Sequence, residues 1–268
     1  MNKTLYTSKF SLGKWCFLFI GGSILFTIVY ALATIPEHSI GNNWISGTLS
    51  LICGVLLLLM YRWLVRSYEE RKIEELSMQK SLKDTGIGFL WGMLMMAAVI
   101  GIFALCGWYK IIGCSFNVAF VYRYLMAYFV VAVGEEIVFR GIMFRLFDSQ
   151  FNLWVALIFS SFLFGAAHII NPNATVVSTV GISLASGVLF GLLFKYYRTL
   201  WVPIGIHWSW NFVQGTVAGC PVSGGAPDYS ILESFTSGPE LFTGGLFGPE
   251  ASVITMAIGF VMCVWIGI

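Results

Sequence analysis

The chain has 268 residues, of which 58% are hydrophobic and only 10% are charged, and its formal net charge is +2. A soluble domain carries about a quarter charged residues. With a mean hydropathy of +0.83, this chain cannot cover its surface with polar groups, which excludes a soluble protein. The basic residues are spread along the chain, so no patch indicates a nucleic-acid partner. We expect an integral membrane protein whose solvent is the lipid bilayer.

Apolar segments long enough to cross a bilayer, which takes about 20 residues, recur along the chain. The sequence predicts an all-α, polytopic bundle of about eight transmembrane helices, at 15–35, 44–65, 85–106, 118–139, 152–170, 176–194, 200–218 and 251–268. The first apolar run is too long for a signal peptide, so we interpret it as an anchor. The last reaches Ile268 without a polar flank, so the span is either cut short or ends in the membrane.

The spans divide into two parts. Residues 1–84 hold the first two transmembrane helices and a charged segment, 66–84, predicted to be a helical linker in which Arg71 and Glu75 pair at i,i+4 spacing. Residues 85–268 hold the core. Its outer loop 219–250 is rich in glycine, proline and serine and is predicted to be irregular, and the last helix follows it.

Basic residues are distributed unevenly between the two sides of the predicted bundle. With the N-terminus inside, all but Lys110 and Arg123 of the 15 lysines and arginines fall in cytoplasmic segments or next to them. Cytoplasmic loops carry such an excess of positive charge. The sequence therefore predicts a multi-pass protein with a cytoplasmic N-terminus, and we expect a bacterial plasma membrane.

Ionisable side chains within predicted spans are costly and by default mark function. Here they are concentrated in three motifs on separate helices: EEIVFR at 135–140, FGAAH at 164–168 and HWSWN at 207–211. The i,i+4 spacing predicts that Glu136 pairs with Arg140, which leaves Glu135 on another face of the helix and free for chemistry.

Helix lengths indicate that the motifs can meet. A turn near 148–152 places Glu135 and His168 at a similar depth, about 20–24 Å from that turn at 1.5 Å per residue. His207 and Asn211 project from one face of their helix, again at i,i+4. His207 lies nearer the cytoplasmic end of its own helix, so tilt or a bend must bring it to the same depth.

The three motifs read EExxxR, FxxxH and HxxxN, and in this order they resemble the CPBP family. This family contains CAAX proteases and bacteriocin-processing enzymes and is also called the type II CAAX prenyl endopeptidase or ABI family. Every motif position matches, and the resemblance covers roughly 118–218. It implies a helix bundle with a polar cavity open to the cytoplasmic side. It also implies an intramembrane endopeptidase that acts on a membrane-bound or membrane-proximal protein or peptide.

The resemblance further implies roles for six residues. Glu135 is expected to be the general base that activates water, assisted by His168. His207 and Asn211 are expected to donate hydrogen bonds to the oxyanion. Glu136 and Arg140 are expected to hold these side chains in place. The predicted catalytic residues are thus Glu135, Glu136, Arg140, His168, His207 and Asn211.

Alternatives to this mechanism and function stay open from the sequence. We predict no cofactor, but a rival mechanism binds Zn²⁺ through Glu135, His168 and His207, although the chain has no H-E-x-x-H motif. A rival function is a non-catalytic membrane scaffold or bacteriocin-immunity protein on the same fold. A transporter is a third, because buried glutamate and histidine also serve proton relays, but the inverted repeat of many transporters is missing. No motif specifies the substrate or the oligomeric state.

Overall fold

The computed structural model describes residues 10–265, and the protein within them is almost entirely helical. Eight of the described helices carry the apolar segments predicted as spans, and a short helix lies in the last loop. In chain order they are α1 (Leu12–Ser39), α2 (Asn43–Glu69), α3 (Met78–Leu105), α4 (118–150), α5 (Leu153–Ala167), α6 (Val176–Tyr197), α7 (201–217), α8 (Glu240–Thr243) and α9 (Val253–Trp265). The predicted all-α bundle is confirmed.

The outer faces of the helices are suited to lipid. By length and composition, α1, α2, α3 and α6 could each cross a membrane, and α5 and α9 are shorter apolar helices. Large apolar side chains such as Ile28, Leu59 and Phe162 are exposed on the surface of the bundle, where only a hydrocarbon solvent would favour them. Residues 266–268 of the last predicted span lie outside the described part of the chain, and the division at residue 84 stays a prediction.

The bundle has two ends, which we name by their connecting segments. The linker side holds 70–77, 151–152 and 198–200, and the loop side holds 40–42, 106–117, 168–175 and 218–252. On the linker side the amide of Leu200 donates to the carbonyl of Glu75 (2.8 Å). On the loop side the Asn171 side chain donates to the carbonyl of Ser223 (3.0 Å). Successive helices therefore alternate in direction, as spans of one bundle must.

The segment 66–84 is not helical throughout. A non-helical stretch, 70–77, separates α2 from α3, and it begins at Glu70 in the left-handed conformation (φ 55°). The prediction of a helical linker is wrong for this stretch, because the chain turns Arg71 and Glu75 into a buried ionic cluster, while Glu70, Lys72 and Glu74 stay exposed. The predicted pair of Arg71 and Glu75 is confirmed, with Nη2 and Oε1 2.6 Å apart.

The buried cluster ties the linker to α4. Arg145 donates to the carboxylate of Glu69, and both side chains are buried. The same arginine donates from Nε to the carbonyl of Gly141 (2.7 Å), and the Tyr61 hydroxyl lies 2.9 Å from that carbonyl. The hydroxyl also donates to Glu75 (2.7 Å). The linker is therefore joined to α4 one turn beyond the first motif.

The loop 219–250 also contains regular structure. Strand β2 (Leu232–Thr236) pairs in antiparallel fashion with β1 (Tyr109–Cys114). The prediction of an irregular loop is wrong for β2, where partly buried and exposed side chains alternate as in a strand with one covered face.

Glu250 anchors this loop to α7. It is buried, and it accepts hydrogen bonds from the Gln214 side-chain amide and from the Ser223 backbone amide (2.5 Å). Burial raises the pKa of Glu250 from 4.5 to about 8, so the carboxyl group is mainly neutral at pH 7. An uncharged carboxyl group can fasten the loop without a buried counter-ion.

Close packing of α3 against α7 sets the position of the third motif. A Cβ atom on Gly88 would lie 2.2 Å from the carbonyl oxygen of Val202, and one on Gly92 would lie 2.4 Å from that of Ile206. Glycine at both positions lets the two backbones touch, as small residues do at membrane helix interfaces. This contact fixes α7 against α3 at the turn that carries His207.

Candidate active site

The first motif lies at a change of helical geometry in α4. The helix is α-helical as far as Glu136 and π-helical over Ile137–Phe144. Further π-helical stretches occupy Ser183–Val188 in α6 and Phe212–Val217 in α7. Such turns are rare and are found frequently at functional sites. Three of the helices around the motifs share this feature.

Arg140 and Glu136 form the predicted intramembrane pair. Arg140 Nη1 donates to Glu136 Oε1 over 2.9 Å, and both side chains are buried. Arg140 Nη2 donates to the carbonyls of Ser186 (3.0 Å) and Gly187 (3.2 Å) in the π-helical stretch of α6. The prediction of this pair is confirmed, and the arginine also joins α4 to α6.

Phe164 of the second motif supports the charged pair. The guanidinium of Arg140 lies 4.6 Å from the centre of the Phe164 ring and 5.2 Å from that of Phe190, which is cation–π geometry. The Phe164 ring also packs against His168, with centroids 4.7 Å apart. This contact gives the phenylalanine of the motif a role that sequence reasoning did not assign.

His207 is held by the same carboxylate. Its Nδ1 lies 3.0 Å from Glu136 Oε1, which already accepts from Arg140. A carboxylate paired with arginine is ionised and can only accept, so Nδ1 carries the proton. In a neutral ring Nε2 is then an acceptor, and it lies 3.9 Å from Oε2 of Glu135.

His168, like His207, directs its Nε2 atom at Glu135. Its Nδ1 lies 2.7 Å from the carbonyl of Phe164, which can only accept a hydrogen bond. Nδ1 therefore carries a proton, and Nε2, which is an acceptor in a neutral ring, lies 3.8 Å from Oε2 of Glu135. The predicted proximity of Glu135 and His168 is confirmed, and so is the turn near 148–152, which follows Gln150.

The two oxygens of Glu135 have different surroundings. Oε1 accepts a hydrogen bond from the Tyr30 hydroxyl over 3.2 Å. Oε2 is buried and makes no hydrogen bond with the described residues. Its distances of 3.8 and 3.9 Å to the two histidine nitrogens are too long for direct hydrogen bonds and suit an intervening water.

Tyr30 is a site residue that sequence reasoning missed. Its ring lies flat against Gly134, where an added Cβ would be 2.2 Å from the ring. The glycine before Glu135 thus makes room for the tyrosine that holds Glu135. The available signal was weak: Tyr30 is the single tyrosine in the first predicted span, and no motif includes it.

A cavity of about 830 Å³ contains Glu135 and His168 and is also lined by Asn211. Asn211 is buried one turn beyond His207 on α7, as their spacing predicts. The structure therefore brings Glu135, Glu136, Arg140, His168 and His207 into one connected cluster, and Asn211 faces the cavity beside it. Their catalytic roles stay predictions.

The cavity reaches the surface on the loop side. Its rim includes His38, Pro172, Ala226 and Asp228, all of which are exposed. We expected it to open on the same side as the 66–84 linker, and this expectation is wrong. His168 follows the loop-side end of α5, so the space beside it leads towards that end.

The distances between Glu135 and the two histidines also bear on the rival zinc site. Ligands of tetrahedral zinc at about 2.0–2.1 Å lie about 3.4 Å apart, whereas Glu135 Oε2 is 3.8 and 3.9 Å from the two nitrogens. Within residues 10–265, no three or more histidine, cysteine or acidic side chains form a group that could hold a metal ion. These distances are longer than those between ligands of one zinc ion, and the absence of a cofactor stays a prediction; no catalytic step below involves zinc.

Comparison with protein families supports the resemblance carried by the motifs. Residues 116–213 match the family described as Type II CAAX prenyl endopeptidase Rce1-like. A search of curated proteins finds no match. The matched stretch holds all three motifs, whereas Tyr30 and the linker lie outside it. Residues 116–213 are therefore similar to the Rce1-like type II CAAX prenyl endopeptidase family, in agreement with the resemblance carried by the three motifs.

Proposed function

We propose that the protein is an intramembrane endopeptidase in which Glu135 activates a water to hydrolyse a peptide bond. One observation carries the proposal. Glu135 Oε2 has no hydrogen-bond partner among the described residues, and it lies 3.8 and 3.9 Å from the Nε2 atoms of His168 and His207, which are acceptors when the rings are neutral. A water that donates its two hydrogens to two of these acceptors would be the nucleophile.

The chemistry follows from this geometry. The water donates one hydrogen to Glu135 and the other to His168, which directs an oxygen lone pair away from both and into the cavity. Attack on the peptide carbonyl transfers a proton to Glu135 and produces a tetrahedral oxyanion. Glu135 then returns the proton to the leaving nitrogen as the carbon–nitrogen bond breaks. General acid–base catalysis of this kind contributes about 10²–10⁴ in rate.

His207 has a different part from the one implied by the resemblance. With its proton on Nδ1 and directed at Glu136, the neutral ring cannot donate a hydrogen bond to an oxyanion from Nε2. It can instead accept from Glu135 once that carboxylate has taken the proton of the water. Oxyanion stabilisation then falls to the side-chain amide of Asn211, which lines the same cavity.

Glu136 and Arg140 position His207 and do not themselves contact the substrate. The carboxylate of Glu136 binds both Arg140 (2.9 Å) and His207 (3.0 Å), so it sets the orientation and proton position of the histidine. Arg140 neutralises the buried carboxylate and links it to α6. Orientation of a histidine through its second nitrogen is a general device in catalytic sites.

Glu135→Gln tests the proposal, because the amide keeps the shape of the side chain but cannot take the proton of the water. We would compare new protein N-termini in cells that produce the wild type, Glu135→Gln or the matched control Glu240→Gln, whose side chain is exposed. Cleavage products should be lost only with Glu135→Gln, at equal protein levels. If Glu135→Gln yields the wild-type set, the protease proposal fails and a scaffold becomes the better interpretation.

A further inference from the structure

We propose that this site receives its substrates from outside the cytoplasm. The inference rests on the proposed function and adds the substrate class, which is polypeptides presented at the outer face of the membrane. Three features carry it: where the cavity opens, what closes its other end, and how charge is distributed between the two sides.

The first feature is a continuous path from Glu135 to the loop side. The cavity wall runs from Glu135 along α4 through Tyr128 to Tyr124 and ends at the outer-loop residues 222–228. Ala226 and Asp228 there are exposed. The cavity therefore leads from Glu135 to the loop side of the bundle.

The loop segment at the rim is held in place. Asn171 donates to the carbonyl of Ser223 (3.0 Å) and Asn173 donates to that of Gly224 (2.9 Å). The backbone amide of Ser223 also donates to the Glu250 side chain. Hydrogen bonds therefore order the entrance, which is bounded by the segment that follows α5 and by the outer loop.

The second feature is a pair of buried ion pairs that close the linker side of the bundle. Asp148 accepts from Lys195 at 2.7 and 2.9 Å, and Arg145 binds Glu69. All four side chains are buried. Breaking a buried ion pair is strongly destabilising, so entry through this end would require disrupting the packing of α4 against its neighbours.

The third feature is charge. Within residues 10–265, Lys110 and Arg123 lie on the loop side and Arg140 lies in the site, while the other basic residues lie in the linker or towards the linker-side ends of the helices. Arg123 is itself engaged at the rim, where it donates to Asn43 (2.9 Å) and to the carbonyl of Glu37. The excess of positive charge assigns the linker side to the cytoplasm. The entrance then faces outwards, and a polypeptide confined to the cytoplasm does not reach Glu135.

The unmodified protein offers a test of orientation. Of its cysteines, Cys106 and Cys114 are exposed, and both lie on the loop side, while Cys220 and Cys263 are buried. A membrane-impermeant sulfonated maleimide should label the wild type in intact cells, and a Cys106→Ser/Cys114→Ser variant should lose most of that label. Labelling that appears only after permeabilisation overturns the proposal.

Access to the cavity itself is tested with two further positions in that double-serine variant. Ala167, beside His168, lines the cavity, and Glu70 is exposed on the linker side. Ala167→Cys should react with the impermeant reagent in intact cells and Glu70→Cys only after permeabilisation. The reverse pattern contradicts outward access. If the labelling is as expected but Glu135→Gln still produces the wild-type cleavage products, the proposed function fails while the outward entrance stands.

Discussion

Replacing Tyr30 with phenylalanine removes one hydroxyl group from the candidate site. That hydroxyl donates to Glu135 Oε1 over 3.2 Å and so fixes the carboxylate with Oε2 towards the histidines. A hydrogen bond to a charged group contributes about 1.5–3 kcal/mol, and about 1.4 kcal/mol is a tenfold change in rate. We therefore expect Tyr30→Phe to lower kcat by about 10–100-fold. KM should change little, because the hydroxyl is directed at Glu135 and not at the substrate.

The matched control makes the same chemical change away from the cavity. Tyr122→Phe removes a hydroxyl that bonds to Thr48 of α2 (3.1 Å), and Tyr122 does not line the cavity. It should leave kcat within about twofold of the wild type, as surface changes have small effects. Both variants should accumulate normally, which separates an effect on the site from an effect on folding.

Gly134 provides an independent approach to the same contact. A Cβ there would lie 2.2 Å from the Tyr30 ring, so Gly134→Ala should push the ring away and lower both accumulation and activity. Adding Tyr30→Ala removes the clash. The double variant should recover accumulation but not activity, because the hydrogen bond to Glu135 is still missing.

The assay needs a peptide that contains a cleavage site identified from the N-terminal comparison of wild type and Glu135→Gln. Steady-state kcat and KM are measured on protein purified in detergent, and thermal unfolding is followed on the same samples. Two results would refute the reasoning: an unchanged kcat in Tyr30→Phe, or an equal loss in Tyr122→Phe. A rise in KM alone would mean that Tyr30 binds substrate instead.

Three further predictions concern charge, metal and pH. Arg140→Ala should reduce both accumulation, seen by immunoblotting, and activity, because the charge of Glu136 is left unpaired in the membrane at a cost of about 3–5 kcal/mol; normal accumulation would contradict this. Activity should survive exhaustive chelation and dialysis, whereas activity restored only by added zinc would support the rival mechanism. Burial raises the pKa of Glu250 from 4.5 to about 8. Its contribution to stability is therefore complete below about pH 4.5 and is lost as pH rises towards 8, so Glu250→Gln should flatten the fall in unfolding temperature over that range.

Helical spacing and span length predicted the core of the site because both are local rules. The i,i+4 rule predicted the pair of Glu136 and Arg140, and counting residues from the 148–152 turn placed Glu135 beside His168. Neither result required knowledge of how distant helices pack. The same rules indicated which carboxylate is free for chemistry, since Glu135 and Glu136 lie on different faces of α4.

What could not be predicted depends on contacts between distant segments. The hydrogen bond of Tyr30 joins residues that lie 105 positions apart, and the pair of Arg145 and Glu69 joins residues 76 apart. The linker departs from a helix where Arg71 and Glu75 join the buried cluster around Glu69, a set of contacts that helix propensity does not include. The side on which the cavity opens was also missed, because it depends on where helix ends and loops leave space.

The π-helical stretches have a consequence for how the chain tolerates change. Where α-turns give way to π-turns, a carbonyl loses its usual partner within the helix. In each π-helical stretch near the site, a backbone carbonyl accepts a hydrogen bond from a group outside that stretch. Gly141 accepts from Arg145, Ser186 from Arg140, and Thr216 from the amide of Ile231 (2.7 Å). Deleting one residue from such a stretch would restore a regular α-helix, withdraw that carbonyl and rotate the following residues by about 100°. Length in these stretches is therefore constrained even where side-chain identity is not.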